Sequence, residues 1–289
     1  MLTQLGIYAM HAIARLPLPL VRALGFVLGR LIHLLAARRR HVVATNIRLC
    51  FPQLPAARQR GLVIGTFVHF AQAWLDRSWL WHGNAARVRS RLRIVGAVAE
   101  LDVLQPLVLF APHFVGLDAG WTALTQQTSG RTFSSIFTRQ RNVLIDKWIL
   151  AGRRRFGTTR LFERREGAKA IVGALRDGQA LYLLPDMNFG PQESVFVPFY
   201  GVPTATLTSL SRFARLGRAR VVPVVTRMTA QGYEVQILPA WSAFPGPDPV
   251  ADAATMNQRL QAYIDTMPDQ YYWVHRRFKS RPPGEPPAY

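Results

Sequence analysis

The chain has 289 residues, 49% of them hydrophobic, and a formal net charge of +20. A single cysteine, Cys50, excludes an internal disulfide, and the length suits one large α/β domain or two small ones. So strong a positive charge implies an anionic partner: nucleic acid, an anionic lipid surface or an acidic protein. The apolar content that accompanies it favours the lipid surface.

Residues 2–37 are the most apolar segment, and Pro17 and Pro19 divide it into two helical pieces. The second piece, 20–37, carries Arg22, Arg30 and His33. It is a borderline span: it crosses a bilayer, or lies flat with its basic residues among the headgroups. Arg38, Arg39 and Arg40 follow at once and suit a cytoplasmic membrane face. A buried core helix with a basic end is the plainer alternative. A cleavable signal peptide is disfavoured by the length, the interruption and the lack of a small-residue cleavage site.

Residues 55–81 have a helical apolar period through Leu62, Val63, Phe67, Phe70, Ala71, Trp74 and Leu75. This aromatic face suits core packing first and the wall of an acyl-chain pocket second. Strands are expected at 88–97, 107–110, 132–137, 180–184, 220–227 and 233–238. Helices are expected at 98–104, 117–126, 142–156, 167–176, 206–216 and 255–267, with a proline-rich irregular tail from Arg281. This alternation predicts an α/β fold, a mixed and largely parallel sheet covered by helices.

His113 sits at the turn between the 107–110 strand and the next helix, with Asp118 five positions on. In one continuous helix, positions five apart point about 140° from each other, because each residue advances ~100°. The two side chains meet only if His113 precedes the helix and Asp118 lies in its first turns. An imidazole so placed takes a proton from a hydroxyl near neutral pH, and a carboxylate on its other nitrogen fixes the tautomer. A capping histidine and a solvated aspartate satisfy the same spacing. No second ligand falls at metal spacing, there is no GxSxG elbow, and no glycine-rich phosphate loop is present. Cys50, in an apolar LCFP context, suits a buried structural thiol. Arg139, Arg141, Arg164 and Arg165 follow strands or precede helices on the side of His113 if the sheet is parallel. Open α/β sheets bind ligands at that side, and arginines there suit phosphate.

Several stretches carry a family resemblance. They are RRRHVVATNIRLCFP from Arg38, HxxxxD from His113, Thr138-Arg139, LLPDMNFGPQESVFVPFYG from Leu183, VVPVV from Val221 and DQYYWVHRRFKSRPPGEPPAY from Asp269. In this order and over nearly the whole chain, they resemble the late lipid A biosynthesis acyltransferases, the lauroyl and myristoyl acyltransferases of the HxxxxD glycerolipid acyltransferase superfamily. The resemblance implies transfer of a fatty acyl chain from acyl carrier protein to a 3-hydroxyacyl hydroxyl of a lipid A precursor. It also implies the cytoplasmic face of the inner membrane, no cofactor and no metal. His113 is then the catalytic base and Asp118 its partner. Arg139 matches the arginine of the second motif, and Asp186 and Gly190 match the third, where the wider superfamily has Glu-Gly. Arg139, Arg164, Asp186 and Gly190 are the expected substrate-binding residues. Residues 1–40 are the expected membrane-associating segment and 41–289 the acyltransferase domain. The tail motif from Trp273 to Lys279 binds phosphate or docks the C-terminus. The rival readings are an acyltransferase for another lipid, such as a lysophospholipid or ornithine lipid, and a non-catalytic basic membrane-associated protein. Nucleic acid is not expected, since the basic residues are spread over many elements.

Overall fold

The computed structural model describes residues 1–103 and 105–289. Its main sheet contains β1 (Leu92–Gly96), β2 (Leu107–Phe110), β3 (Phe133–Phe137), β4 (Thr159–Glu163), β5 (Ala180–Leu183), β8 (Arg220–Thr229) and β9 (Gly232–Ile237). A two-stranded hairpin adds β6 (Ser194–Phe199) and β7 (Val202–Leu207). The sheet order is β1-β9-β8-β2-β5-β3-β4, with every neighbouring pair parallel except β8 and β9. The mixed, mostly parallel α/β sheet expected from the alternation is therefore present. β2 (LVLF) and β5 (ALYL) are buried along their whole length, as central parallel strands covered on both faces must be.

The helices are α1 (Leu2–Ile13), α2 (Leu18–Leu35), α3 (Ala37–Cys50), α4 (Ala56–His82), α5 (Ala85–Ser90), α6 (Leu117–Gln127), α7 (Val143–Arg153), α8 (Gly167–Arg176), α9 (Ser209–Gly217) and α10 (Pro249–Asp265). The prolines divide the N-terminal segment as expected, and Pro17 caps α2 in an extended conformation. α7 is stopped at its start by Asn142, whose side chain accepts from Leu144 and Ile145 N–H. Packing of α2 on α4 relies on two glycines. A Cβ on Gly25 would come within 2.7 Å of Gln72, and one on Gly29 within 2.5 Å of Val68. Arg22 of α2 is also ion-paired to Asp76 of α4 at 3.0 Å. By length and composition α2 is the one helix among the described residues able to cross a membrane. Its outward side shows Leu20, Leu24, Phe26, Val27, Leu31, Leu34 and Leu35.

Several local expectations need correction. Residues 88–90 end helix α5, and the strand begins only at Leu92, because Asn84 caps a helix through Ala86 N–H. The 206–216 helix starts three residues late, since Thr206 and Leu207 still pair with β6. The 98–104 helix is a short 3-10 turn at Val98–Leu101, and its last expected residue, Leu104, lies outside the described residues. Helix α3 and strands β4, β6 and β7 are elements that periodicity missed. In the case of α3, the buried Val42, Val43, Ile47 and Cys50 are interleaved with a basic run that masks the period. Cys50 is buried as expected, and burial pushes its thiol up. The expected aromatic face of α4 is only partly core: Phe67 is buried, Phe70 is half-buried and Trp74 is exposed, while Trp79 and Trp81 further along the helix and Trp121 of α6 are buried.

Candidate active site

Parallel pairing brings the carboxyl ends of β2, β5, β3 and β4 to one side of the sheet. The loops that leave them carry His113, Asp186, Arg139 and Arg164 respectively. β2 and β5 are neighbours with Phe110 opposite Leu183, so His113 and Asp186 each lie three residues past a paired position. The register itself therefore juxtaposes them. His113 Nδ1 is 2.7 Å from Asp186 Oδ1, and the His113 backbone N–H donates to Asp186 Oδ2 at 3.0 Å. Tyr271 Oη donates to the same Oδ2 at 2.9 Å. The carboxylate is buried. Burial alone would raise it, but the His113 imidazole, its hydrogen bonds and the Tyr271 hydroxyl bring it down to about 2. An ionised carboxylate only accepts, so the proton between the two groups belongs to Nδ1, and in the neutral imidazole the lone pair is then on Nε2. The His113 side chain keeps 19% exposure, enough to meet a substrate atom.

Asp118 does not make the expected contact. It stands in the first turn of α6, where the helix dipole favours an acid, and turns toward α4 and α7. Arg77 Nε donates to its Oδ2 at 2.8 Å and Arg153 Nε to its Oδ1 at 2.9 Å. Burial would raise this carboxyl too, but Arg153 first and Arg77 second lower it to about 2. The carboxylate that touches the His113 ring is therefore that of Asp186, one of the expected substrate-binding residues, and not that of Asp118. The reason is the strand neighbourhood: β5 lies beside β2, whereas the turn after His113 swings Asp118 away from the ring.

The C-terminal signature holds this turn in place. Val115 N–H donates to Gln270 O at 2.9 Å, Tyr272 N–H donates to His113 O at 3.0 Å, and Phe114 and Tyr271 form a β-bridge. The Tyr272 ring centroid stands 6.0 Å from that of His113 and 5.9 Å from Phe70 of α4. The PDMNFGP loop is tied to the same segment. Asn188 N–H donates to His275 Nε2 at 2.9 Å, and Asn188 Nδ2 donates to Arg277 O at 3.1 Å. His275 is lowered to about 4, by burial first and then by Arg277 and His113, which keeps its ring neutral to accept this bond. Gly190 holds a φ of +109°, a left-handed value that closes the loop onto the Asn188 side chain at 3.0 Å. Of the two roles open to the Trp273–Lys279 motif, docking is the one Arg277 performs. It is buried and donates to Ala205 O at 2.8 Å, Thr206 Oγ1 at 3.2 Å and Asn257 Oδ1 at 3.3 Å.

The remaining basic residues lie on the rim. Arg139 and Arg165 each reach Glu163 Oε2 at 3.0 Å, and Arg164 reaches Glu193 at 3.3 Å while lying 4.4 Å from the centroid of the exposed Phe189 ring. Arg141 is exposed. Sequence reasoning missed Tyr271, Arg77 and Arg153. Only Arg77 gives a local signal, a charge set between Trp74 and Trp81 in an aromatic helix.

A family model described as bacterial lipid A biosynthesis acyltransferase matches residues 1–280. The chain is 31% identical over 294 residues to a lipid A biosynthesis lauroyltransferase of Escherichia coli, covering 100% of this chain and 94% of that one. It is 30% identical to a lipid A biosynthesis myristoyltransferase of the same organism, covering 97% and 88% of the two chains. A lipid A biosynthesis acyltransferase of Haemophilus influenzae is 30% identical over 287 residues, again covering 97% and 88%. The chain is a transferase that belongs to the bacterial lipid A biosynthesis acyltransferase family.

Proposed function

We propose that the protein transfers a fatty acyl chain from acyl carrier protein to a 3-hydroxyacyl hydroxyl of a lipid A precursor, with His113 as general base and Asp186 as its partner. The observation that carries this reading is the 2.7 Å contact between His113 Nδ1 and Asp186, which leaves Nε2 free and open. Nε2 takes the proton of the acceptor hydroxyl as its oxygen attacks the thioester carbonyl. The tetrahedral intermediate then collapses, the carbon–sulfur bond breaks, and the imidazolium returns the proton to the departing thiolate. Asp186 stabilises the imidazolium in between, at a site where it is already ionised. Asp118 acts on the site indirectly, by fixing α4 and α7 to the start of α6.

Arg139, Arg164 and the loop closed by Gly190 ring the same strand ends and serve substrate binding. The exposed arginines there match an acidic carrier surface and phosphorylated lipid. α1 and α2 lie in the cytoplasmic interface of the inner membrane. α2 is held lengthwise on α4 by Arg22, Gly25 and Gly29, while its opposite side is apolar, which suits a flat helix rather than a crossing one. The test is lipid A mass spectrometry of a strain lacking the gene, complemented with the wild-type chain or with His113→Ala. Restoration of a secondary acyl chain by the wild type alone is expected. Unchanged lipid A in the deletion strain, or full rescue by His113→Ala, would overturn the reading.

A further inference from the structure

The paired arginines on Asp118 are more than an internal ion pair requires. On the same helix, Asp76 shows what a structural pair looks like. One arginine, Arg22, meets it, and Trp79 Nε1 at 2.9 Å and Tyr233 Oη at 2.6 Å complete its two oxygens. The terminal Nη2 of Arg22 that bonds Asp76 also reaches Gly232 O at 3.2 Å. A single arginine bonds that carboxylate. At Asp118 a single carboxylate carries two guanidinium groups, a surplus of one positive charge. Each arginine spends its Nε on the carboxylate, and the terminal nitrogens of both have no hydrogen-bond partner among the described residues. Both side chains stay open, at 18% and 24% exposure.

The surrounding residues hold the two forks rigidly. The Arg77 guanidinium lies 4.3 Å from the Trp74 ring centroid and 5.5 Å from that of Trp81. Arg153 follows Gly152, where a Cβ would come within 2.2 Å of the Trp81 ring, so only glycine lets α7 approach this closely. Trp121 Nε1 donates to Arg153 O at 2.7 Å. Two planar forks preset side by side, with aromatic walls, suit a tetrahedral oxyanion that both can grip. Phe70, Trp74 and Arg77 share one face of α4, and Phe70 packs by Tyr272 next to His113. Seven residues of helix place Arg77 about 10 Å further along that wall.

We propose that Arg77 and Arg153, held by Asp118, form an anion subsite for a phosphate ester of the substrate. This rests on the acyl-transfer reading of His113. The phosphate belongs to the acceptor lipid or to the phosphopantetheine arm of the donor, and the same chemistry recognises either. Asp118 is then a positioning residue for the arginines.

The test uses purified full-length protein with two substrate pairs. One pair is the acceptor with and without its phosphate groups. The other is acyl-phosphopantetheine against acyl-pantetheine. For Arg77→Gln and Arg153→Gln, the preference in kcat/KM for the phosphorylated member of one pair falls at least tenfold, through KM. Preference within the other pair is unchanged, which names the source. Each replacement leaves Asp118 with one arginine, a balanced pair, and thermal melting checks the fold. Arg77→Lys keeps the charge, loses the fork and recovers only part of the preference. Equal losses on phosphorylated and phosphate-free members of both pairs make the arginines structural and overturn the proposal. Full activity of His113→Ala in the same assay instead overturns the acyl-transfer reading, so the two failures are distinct.

Discussion

Asp186 and Asp118 are both buried aspartates near the same turn, and both are held down to about 2, yet they answer to different partners. Asp186 takes the His113 ring, the His113 backbone N–H and the Tyr271 hydroxyl. Asp118 takes two arginines from two other helices. One carboxylate bonds an imidazole, and the other bonds two guanidinium groups. The difference teaches that a sequence spacing such as HxxxxD brings two side chains to one turn without stating that they touch each other.

The largest expected effect separates the base from both carboxylates. His113→Ala removes the proposed proton acceptor, and turnover is expected to fall by at least ~10³-fold while the melting temperature stays close to that of the wild type. Asp186→Asn keeps the shape but loses the charge that stabilises the imidazolium, and kcat drops on the order of 10²–10³-fold with KM little changed. Asp118→Asn acts mainly on the fold, because it leaves two arginines facing an uncharged group; a loss of about 3 kcal/mol is expected in denaturant unfolding. The acid limb gives the sign of that term. The folded Asp118 carboxyl lies near 2, below the ~3.9 of an unfolded chain, so its contribution is present above about pH 4 and lost as pH falls toward 2. Unfolding of Asp118→Asn followed from pH 5 to pH 2 therefore shows a shallower fall than the wild type. Tyr271→Phe removes one of three donors to Asp186, costs about 1 kcal/mol in the transition state and lowers kcat a few fold. A drop as large as that of Asp186→Asn would blur the assignment.

Much of the fold is legible in the residues. β2 and β5 read as apolar runs, Asn142 and the Pro17–Pro19 pair bound their helices, and His113 falls at the turn after β2. The His113–Asp186 contact was not legible, because 73 positions separate the two and only the β2–β5 neighbourhood joins them. Strand order is set by how helices pack across the sheet, which local pattern does not encode. Arg153 was hidden within a run of three arginines, where charge alone marks none as special. The C-terminal signature was recognisable as a string, but its task of strapping the His113 turn through residues 270–272 depends on the tertiary path.

The most direct measurement is the ¹⁵N–¹H spectrum of the imidazole groups, with His113 assigned among the seven histidines by the difference spectrum of His113→Gln. The predicted result is a downfield, exchange-protected Nδ1–H resonance for His113 that survives in Asp118→Asn and disappears in Asp186→Asn. Survival in Asp186→Asn together with loss in Asp118→Asn would contradict the account, returning the imidazole to the carboxylate five positions along the chain.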